Sequence, residues 1–120
     1  QNSQQQDNQQ GKRNHIMRFD IWHINLARRE LKNNRDVITT LTSGEYDLLL
    51  AFAENAQAIL TRDQLLDITR GRSAGPFDRS IDVQLSRLRK KIEIDPKNPQ
   101  IIKTVRNGGY VFTPIIEFQL

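Results

Sequence analysis

A chain of 120 residues suits one domain with a modest core, and the absence of cysteine excludes disulfides and thiolate metal sites. The sequence is only 37% hydrophobic and has neither an apolar run long enough for a membrane helix nor an apolar signal-peptide core, which predicts a soluble, cytoplasmic protein. The net charge of +4 is concentrated: Arg70 to Lys91 holds seven basic and two acidic residues, a local +5, and the remainder carries −1. Charge placed this way is a footprint for a polyanion and not a generally basic surface.

Gln1 to Gln10 is nearly all Gln, Asn, Ser and Asp, a composition that cannot offset its ordering entropy by burial. Residues 1–15 are therefore expected to be a disordered polar interdomain linker, and the chain the C-terminal piece of a longer protein. Residues 16–114 then form the domain, and 115–120 a short apolar tail to which the sequence assigns no role. From Ile16 to Leu41, runs of β-formers (IMRF, DIWHINL, RREL, VITTL) alternate with polar breaks such as Lys32-Asn33-Asn34-Arg35. This spacing predicts an antiparallel meander with Phe19, Trp22, Ile24, Leu26 and Leu31 as its core.

Two capped helices follow. Thr42-Ser43-Gly44-Glu45 reads as a capping box, with Thr42 accepting from the helix while Glu45 reaches back, and Tyr46, Leu49, Leu50 and Ala53 continue at helical spacing. Thr61-Arg62-Asp63-Gln64 repeats the device ahead of Leu65, Leu66 and Ile68, and Gly71 is expected to end this helix as its C′ residue. Arg72-Ser73-Ala74-Gly75-Pro76-Phe77 reads as a loop, with Asp78 the N-cap of a third helix.

That third helix has two faces. At about 100° per residue, Ile81, Leu85, Leu88 and Ile92 form a narrow apolar stripe that docks on a core. Arg79, Ser80, Val83, Ser86, Arg87 and Lys90 fall on the opposite side, while Gln84 and Arg89 fall on the flanks. Arginine forks suit phosphates or guanine edges, small hydroxyls allow close approach, and a branched methyl suits the thymine methyl. On this helix alone, a solvated basic face with one stray valine explains the pattern equally well. The helix should stop by Asp95-Pro96. IIKTV and YVFT then flank Arg106-Asn107-Gly108-Gly109, a hairpin signal with an arginine at its tip. The expected fold is α+β: a winged helix-turn-helix with an N-terminal antiparallel sheet, three helices and a C-terminal β-hairpin wing.

LTSGEYDLLLAFAENAQAILTRDQLL, FDRSIDVQLSRLRKKIE and IIKTVRNGGYVF together resemble the DNA-binding domain of OmpR/PhoB-type two-component response regulators, from about Phe19 to Pro114. The resemblance implies sequence-specific binding of double-stranded DNA to control transcription. Helix 78–93 would lie in the major groove and the wing, 101–113, on the adjacent minor groove. Ser80, Val83 and Arg87 would read bases from the helix, and Arg106 from the wing. Arg70, Arg79, Gln84, Arg89, Thr104 and Tyr110 would hold phosphates, and the loop Arg72, Ser73, Ala74, Gly75, Pro76, Phe77 would touch RNA polymerase. It further implies an N-terminal receiver domain phosphorylated by a sensor kinase, direct-repeat half-sites, and an isolated domain that is monomeric off DNA. Two positions depart from the family pattern. Ser86 stands where many members have arginine, and Asn107 replaces the first glycine of the usual Arg-Gly-x-Gly-Tyr wing.

Catalysis finds no support. His15 and His23 lack Cys or acidic neighbours at metal-ligand spacing, no cofactor motif is present, and neither a Gly-x-Ser-x-Gly nor a phosphate-binding P-loop occurs. Asp63 and Asp67 fit a solvated helix face better than an acid/base pair. The competing reading is a winged-helix protein-interaction module without DNA-binding activity, since fold alone does not decide function. Such a module should carry an apolar or acidic patch where this chain has Arg79, Arg87 and Lys90. Double-stranded RNA is disfavoured because its major groove is too narrow for a helix.

Overall fold

The computed structural model describes residues 15–72 and 81–119. In chain order the elements are β1 (Ile16–Phe19), β2 (Trp22–Asn25), β3 (Glu30–Lys32), β4 (Ile38–Thr39), α1 (Ser43–Glu54), β5 (Ile59–Leu60), α2 (Arg62–Arg72), α3 (Ile81–Ile92), β6 (Ile102–Val105), β7 (Gly109–Phe112) and β8 (Glu117–Gln119). The described residues group into two compact units, one of those up to 40 together with those from 115 on, and one of those between 41 and 114. Among the described residues no helix is long and apolar enough to cross a membrane.

The first unit is a five-stranded antiparallel sheet in the order β4-β3-β2-β1-β8. Its register places Met17 opposite Ile24 and Ile24 opposite Leu31, with Phe19 opposite Trp22, so these five buried side chains share one face. Alternation puts Arg18, His23 and Lys32 on the other face. The core differs from expectation at one position. Leu26 lies just past β2 and is only half-buried, and Met17 takes its place in the buried set. The tail, without a role in the sequence, returns as β8 and pairs with β1 from Arg18↔Glu117 to Ile16↔Gln119. The tight connection between β1 and β2 rests on Asp20 (φ 48), a residue type that tolerates a left-handed backbone.

In the second unit both capping boxes form. Thr42 Oγ1 accepts from Glu45 N at 3.2 Å while Thr42 N donates to the Glu45 carboxylate at 3.0 Å. Gln64 N donates to Thr61 Oγ1 at 3.1 Å, and Thr61 N to Gln64 Oε1 at 2.8 Å. α1 is buried from Glu45 through Ala53, and its Phe52 stacks on Phe112 of β7 with ring centroids 6.4 Å apart. The second helix runs on to Arg72, so Gly71 lies inside it and not at its C′ position. Glycine permits a left-handed cap but does not impose one, and an α-helical glycine costs only about 1 kcal/mol relative to alanine.

The wing is a three-stranded sheet in the order β5-β7-β6, and β5 was not expected from the sequence. Two residues are too short a run to register as periodic. Its presence explains Gly109: a Cβ there would stand 2.6 Å from Ile59 Cγ2, closer than real side chains approach.

Candidate nucleic-acid interface

Ile81, Leu85, Leu88 and Ile92 are all buried, as the stripe predicts, and this fixes which side of α3 faces outward. Val83 is 41% exposed, and Ser86, Arg87 and Lys90 around it are exposed. Asp78, Arg79, Ser80 and the loop residues Ser73, Ala74, Gly75, Pro76 and Phe77 lie outside the described residues, as does the side chain of Arg72. Arg70 is exposed on α2.

One flank of α3 is tied to α1. Lys91 Nζ lies 2.5 Å from the carboxylate of Glu45, which is 2% exposed. Burial alone would raise the Glu45 pKa, but the Lys91 ammonium and the Thr42 backbone bond outweigh it and hold the carboxyl below its usual range. Gln84, expected on a flank as a phosphate contact, is instead buried at 6% exposure, and its Oε1 has no hydrogen-bond partner. It sits only about 60° from Ile81 on the helix wheel, close enough for the core to cover it.

The other flank is tied to the wing. Asp82, Arg89 and Glu93 fall within about 40° of one another on the wheel. The Glu93 carboxylate, 8% exposed, accepts from the backbone N–H groups of Gln100 (2.8 Å), Ile101 (3.0 Å to each oxygen) and Ile102 (2.8 Å). Arg89 donates through Nε (3.1 Å) and Nη2 (2.6 Å) to the carbonyl of Ile102, and through Nη2 to Thr104 Oγ1 at 3.1 Å. Its guanidinium also lies 5.9 Å from the Tyr110 ring centre. Burial lowers the Arg89 pKa, with Glu93 opposing, and it stays charged.

Asp82 completes the flank. It accepts from the Tyr110 hydroxyl at 2.9 Å and from Arg62 Nη2 at 3.0 and 2.9 Å, which hold its carboxyl below the usual aspartate range. Arg89 and Tyr110 therefore have partners within the protein beside any they take outside it.

Between α3 and the wing lies an open cleft of about 340 Å³ lined by Ser86, Arg89, Lys90, Lys97, Thr104 and Tyr110, with Asp82 at its wall. At the wing tip Arg106 is exposed, and Asn107 (φ 76) and Gly108 (φ 98) turn the chain in left-handed conformations. Asparagine accepts that backbone, so the turn forms without the family's first glycine. The sequence reading missed Arg62, Asp82 and Glu93. For Asp82 and Glu93 the signal was present in the spacing, since positions i, i+7 and i+11 from Asp82 (with Arg89 between) share one flank of a helix that a wing must pack against; Arg62, on another helix, had no such signal.

The family model of the C-terminal domain of transcriptional regulatory proteins matches residues 34–112. The chain is 48% identical over 94 residues to the regulatory protein VirG of Agrobacterium tumefaciens, covering 78% of this chain and 35% of VirG. It thus spans about a third of the length of that relative. Among solved structures it is similar to the RstA DNA-binding domain of Klebsiella pneumoniae in complex with the RstA box, with a TM-score of 0.69, 37% identity and coverage of 82% of this chain and 96% of that one. It is also similar to DrrB of Thermotoga maritima, an OmpR/PhoB homologue, with a TM-score of 0.71, 32% identity and coverage of 82% and 44%. With three helices among the described residues, an N-terminal antiparallel sheet, a basic helix and a wing, the chain belongs to the winged-helix C-terminal effector domains of OmpR/PhoB-type response regulators.

Proposed function

We propose that the chain binds double-stranded DNA sequence-specifically and serves as the effector part of a cytoplasmic two-component response regulator. The observation that carries this reading is the outward face of α3, where a half-exposed Val83 is set among Ser86, Arg87 and Lys90. Arg87 and Val83, with Ser80 ahead of them, read base edges in the major groove, and Arg106 enters the adjacent minor groove. Arg70, Arg79, Lys90 and Lys97 hold the phosphates, the last two from the cleft between helix and wing. Arg89 and Thr104 border the same cleft and add to that hold with whatever capacity their mutual bond leaves. An N-terminal receiver domain, its sensor kinase, direct-repeat half-sites and contact of residues 72–77 with RNA polymerase complete the proposal as what the family resemblance implies; the greater length of the relatives leaves room for the first of these.

Selection of bound duplexes from a random pool at moderate salt tests it. A recurring motif is the expected result. Enrichment without a motif would favour the protein-interaction module instead.

A further inference from the structure

We propose that Asp82 is a positioning residue that sets the angle between the recognition helix and the wing, and with it the spacing between the two groove contacts. The inference rests on the DNA-binding reading above. Three side chains on one flank of α3 meet the hairpin. Glu93 and Arg89 hold its base, through the backbone of residues 100–102. Nearer the tip, Tyr110 pairs with Thr104, one step from the closing pair Val105↔Gly109, and there Asp82 takes the Tyr110 hydroxyl. Arg62, from the first turn of α2, grips the same carboxylate, so Asp82 ties the wing to α2 as well as to α3, which the bonds of Arg89 and Glu93 do not. Arg89 also reaches Thr104 and the Tyr110 ring, so what Asp82 adds at this level of the hairpin is a direct bond to the tyrosine hydroxyl that is braced from α2.

The chemistry of Asp82 supports this role. Its side chain is 56% exposed beside a cleft lined by Arg89, Lys90 and Lys97. As a bystander there, a carboxylate weakens binding to any polyanion. The Tyr110 hydroxyl has one proton, and it is donated to Asp82, so while that bond holds this tyrosine orients the wing and has no proton to give a phosphate.

The electrostatic and positioning roles predict opposite signs, which Asp82→Asn separates. Affinity is measured for the duplex selected by the unsubstituted chain and for random-sequence duplex of equal length. Positioning predicts roughly 5- to 20-fold weaker binding to the selected duplex, the loss of one to two aligned hydrogen bonds, with random-duplex binding equal or tighter. The coupling between Arg87→Ala and Arg106→Ala on the selected duplex should also shrink in the Asp82→Asn background. Tyr110→Phe, which keeps the helix charge and the ring, should lower the ratio of selected to random affinity in the same direction and decides the matter if Asp82→Asn fails to fold. Arg62→Lys should restore part of the ratio lost in Arg62→Met. Tighter binding to both duplexes, or an equal loss on both with the coupling intact, overturns the positioning role. A chain that selects no motif overturns the DNA reading as well.

Discussion

Replacing Glu93 by glutamine tests how the wing is fastened to the recognition helix. In the native protein each carboxylate oxygen accepts from two backbone N–H groups, Oε1 from Gln100 and Ile101 and Oε2 from Ile101 and Ile102. A glutamine keeps the shape but offers one acceptor oxygen and turns an NH2 group towards a donor. Either Gln100 N or Ile102 N then loses its partner, at about 1–3 kcal/mol for a buried unsatisfied group. The remaining bonds lose their charge assistance, about 0.5–1 kcal/mol each. The sum, about 2–5 kcal/mol, is a large part of the stability of a domain of this size. Urea unfolding followed by far-UV circular dichroism should show the midpoint falling at constant m, and Tm should drop by roughly 10–30 °C. A loss below about 1 kcal/mol would refute the reasoning, because it would mean that water replaces the carboxylate at these amides without cost.

Arg87→Ala should weaken binding to the selected duplex by about 1–3 kcal/mol and blur preference at one or two base pairs, read by repeating the selection; an equal loss on random duplex would move Arg87 to the phosphate group. Lys91→Met should destabilise the domain by about 1–3 kcal/mol at neutral pH, because Glu45 is left buried without its cation. The Glu45 pKa is lowered on folding, so its stabilisation is present above the ordinary glutamate range and is lost as pH falls through the lowered value. The gap between native and variant in urea titrations should therefore narrow from about pH 5 downward, and a gap independent of pH would contradict the ion pair's role. Gln84→Met removes a buried, unpartnered amide oxygen at nearly constant volume and should stabilise by about 1 kcal/mol in the same assay; destabilisation would show that the amide is satisfied by water.

Local rules were legible wherever the determining atoms lie close in sequence. The capping boxes at Thr42 and Thr61 are side chain-to-backbone bonds over three residues, and both form as the residue types dictate. The apolar stripe of α3 is a matter of helical pitch, so Ile81, Leu85, Leu88 and Ile92 declared the buried side before any partner was known. The outward setting of Val83, Ser86, Arg87 and Lys90 follows from the same pitch. Asn107 at φ 76 follows from its tolerance of the left-handed region.

What the sequence could not decide depends on atoms brought together over long separations. Gly71 and Arg72 continue their helix where a local rule ends it. β5 and β8 are strands only because β7 and β1 stand ready to pair with them, over about fifty and about one hundred residues. Gln84 is covered despite its polarity, since burial is set by the elements packed over a position and not by the residue there. The wing flank shows the division most clearly. Composition and pitch determined that Asp82, Arg89 and Glu93 share one side of a basic helix, but only tertiary structure decided that Arg89 clasps the Ile102 carbonyl, Glu93 gathers the amides of residues 100–102, and Asp82 joins Tyr110 to Arg62. The physical reason is that helical periodicity fixes direction, whereas hydrogen bonding needs a partner within about 3 Å, and distance between remote segments exists only in the folded chain.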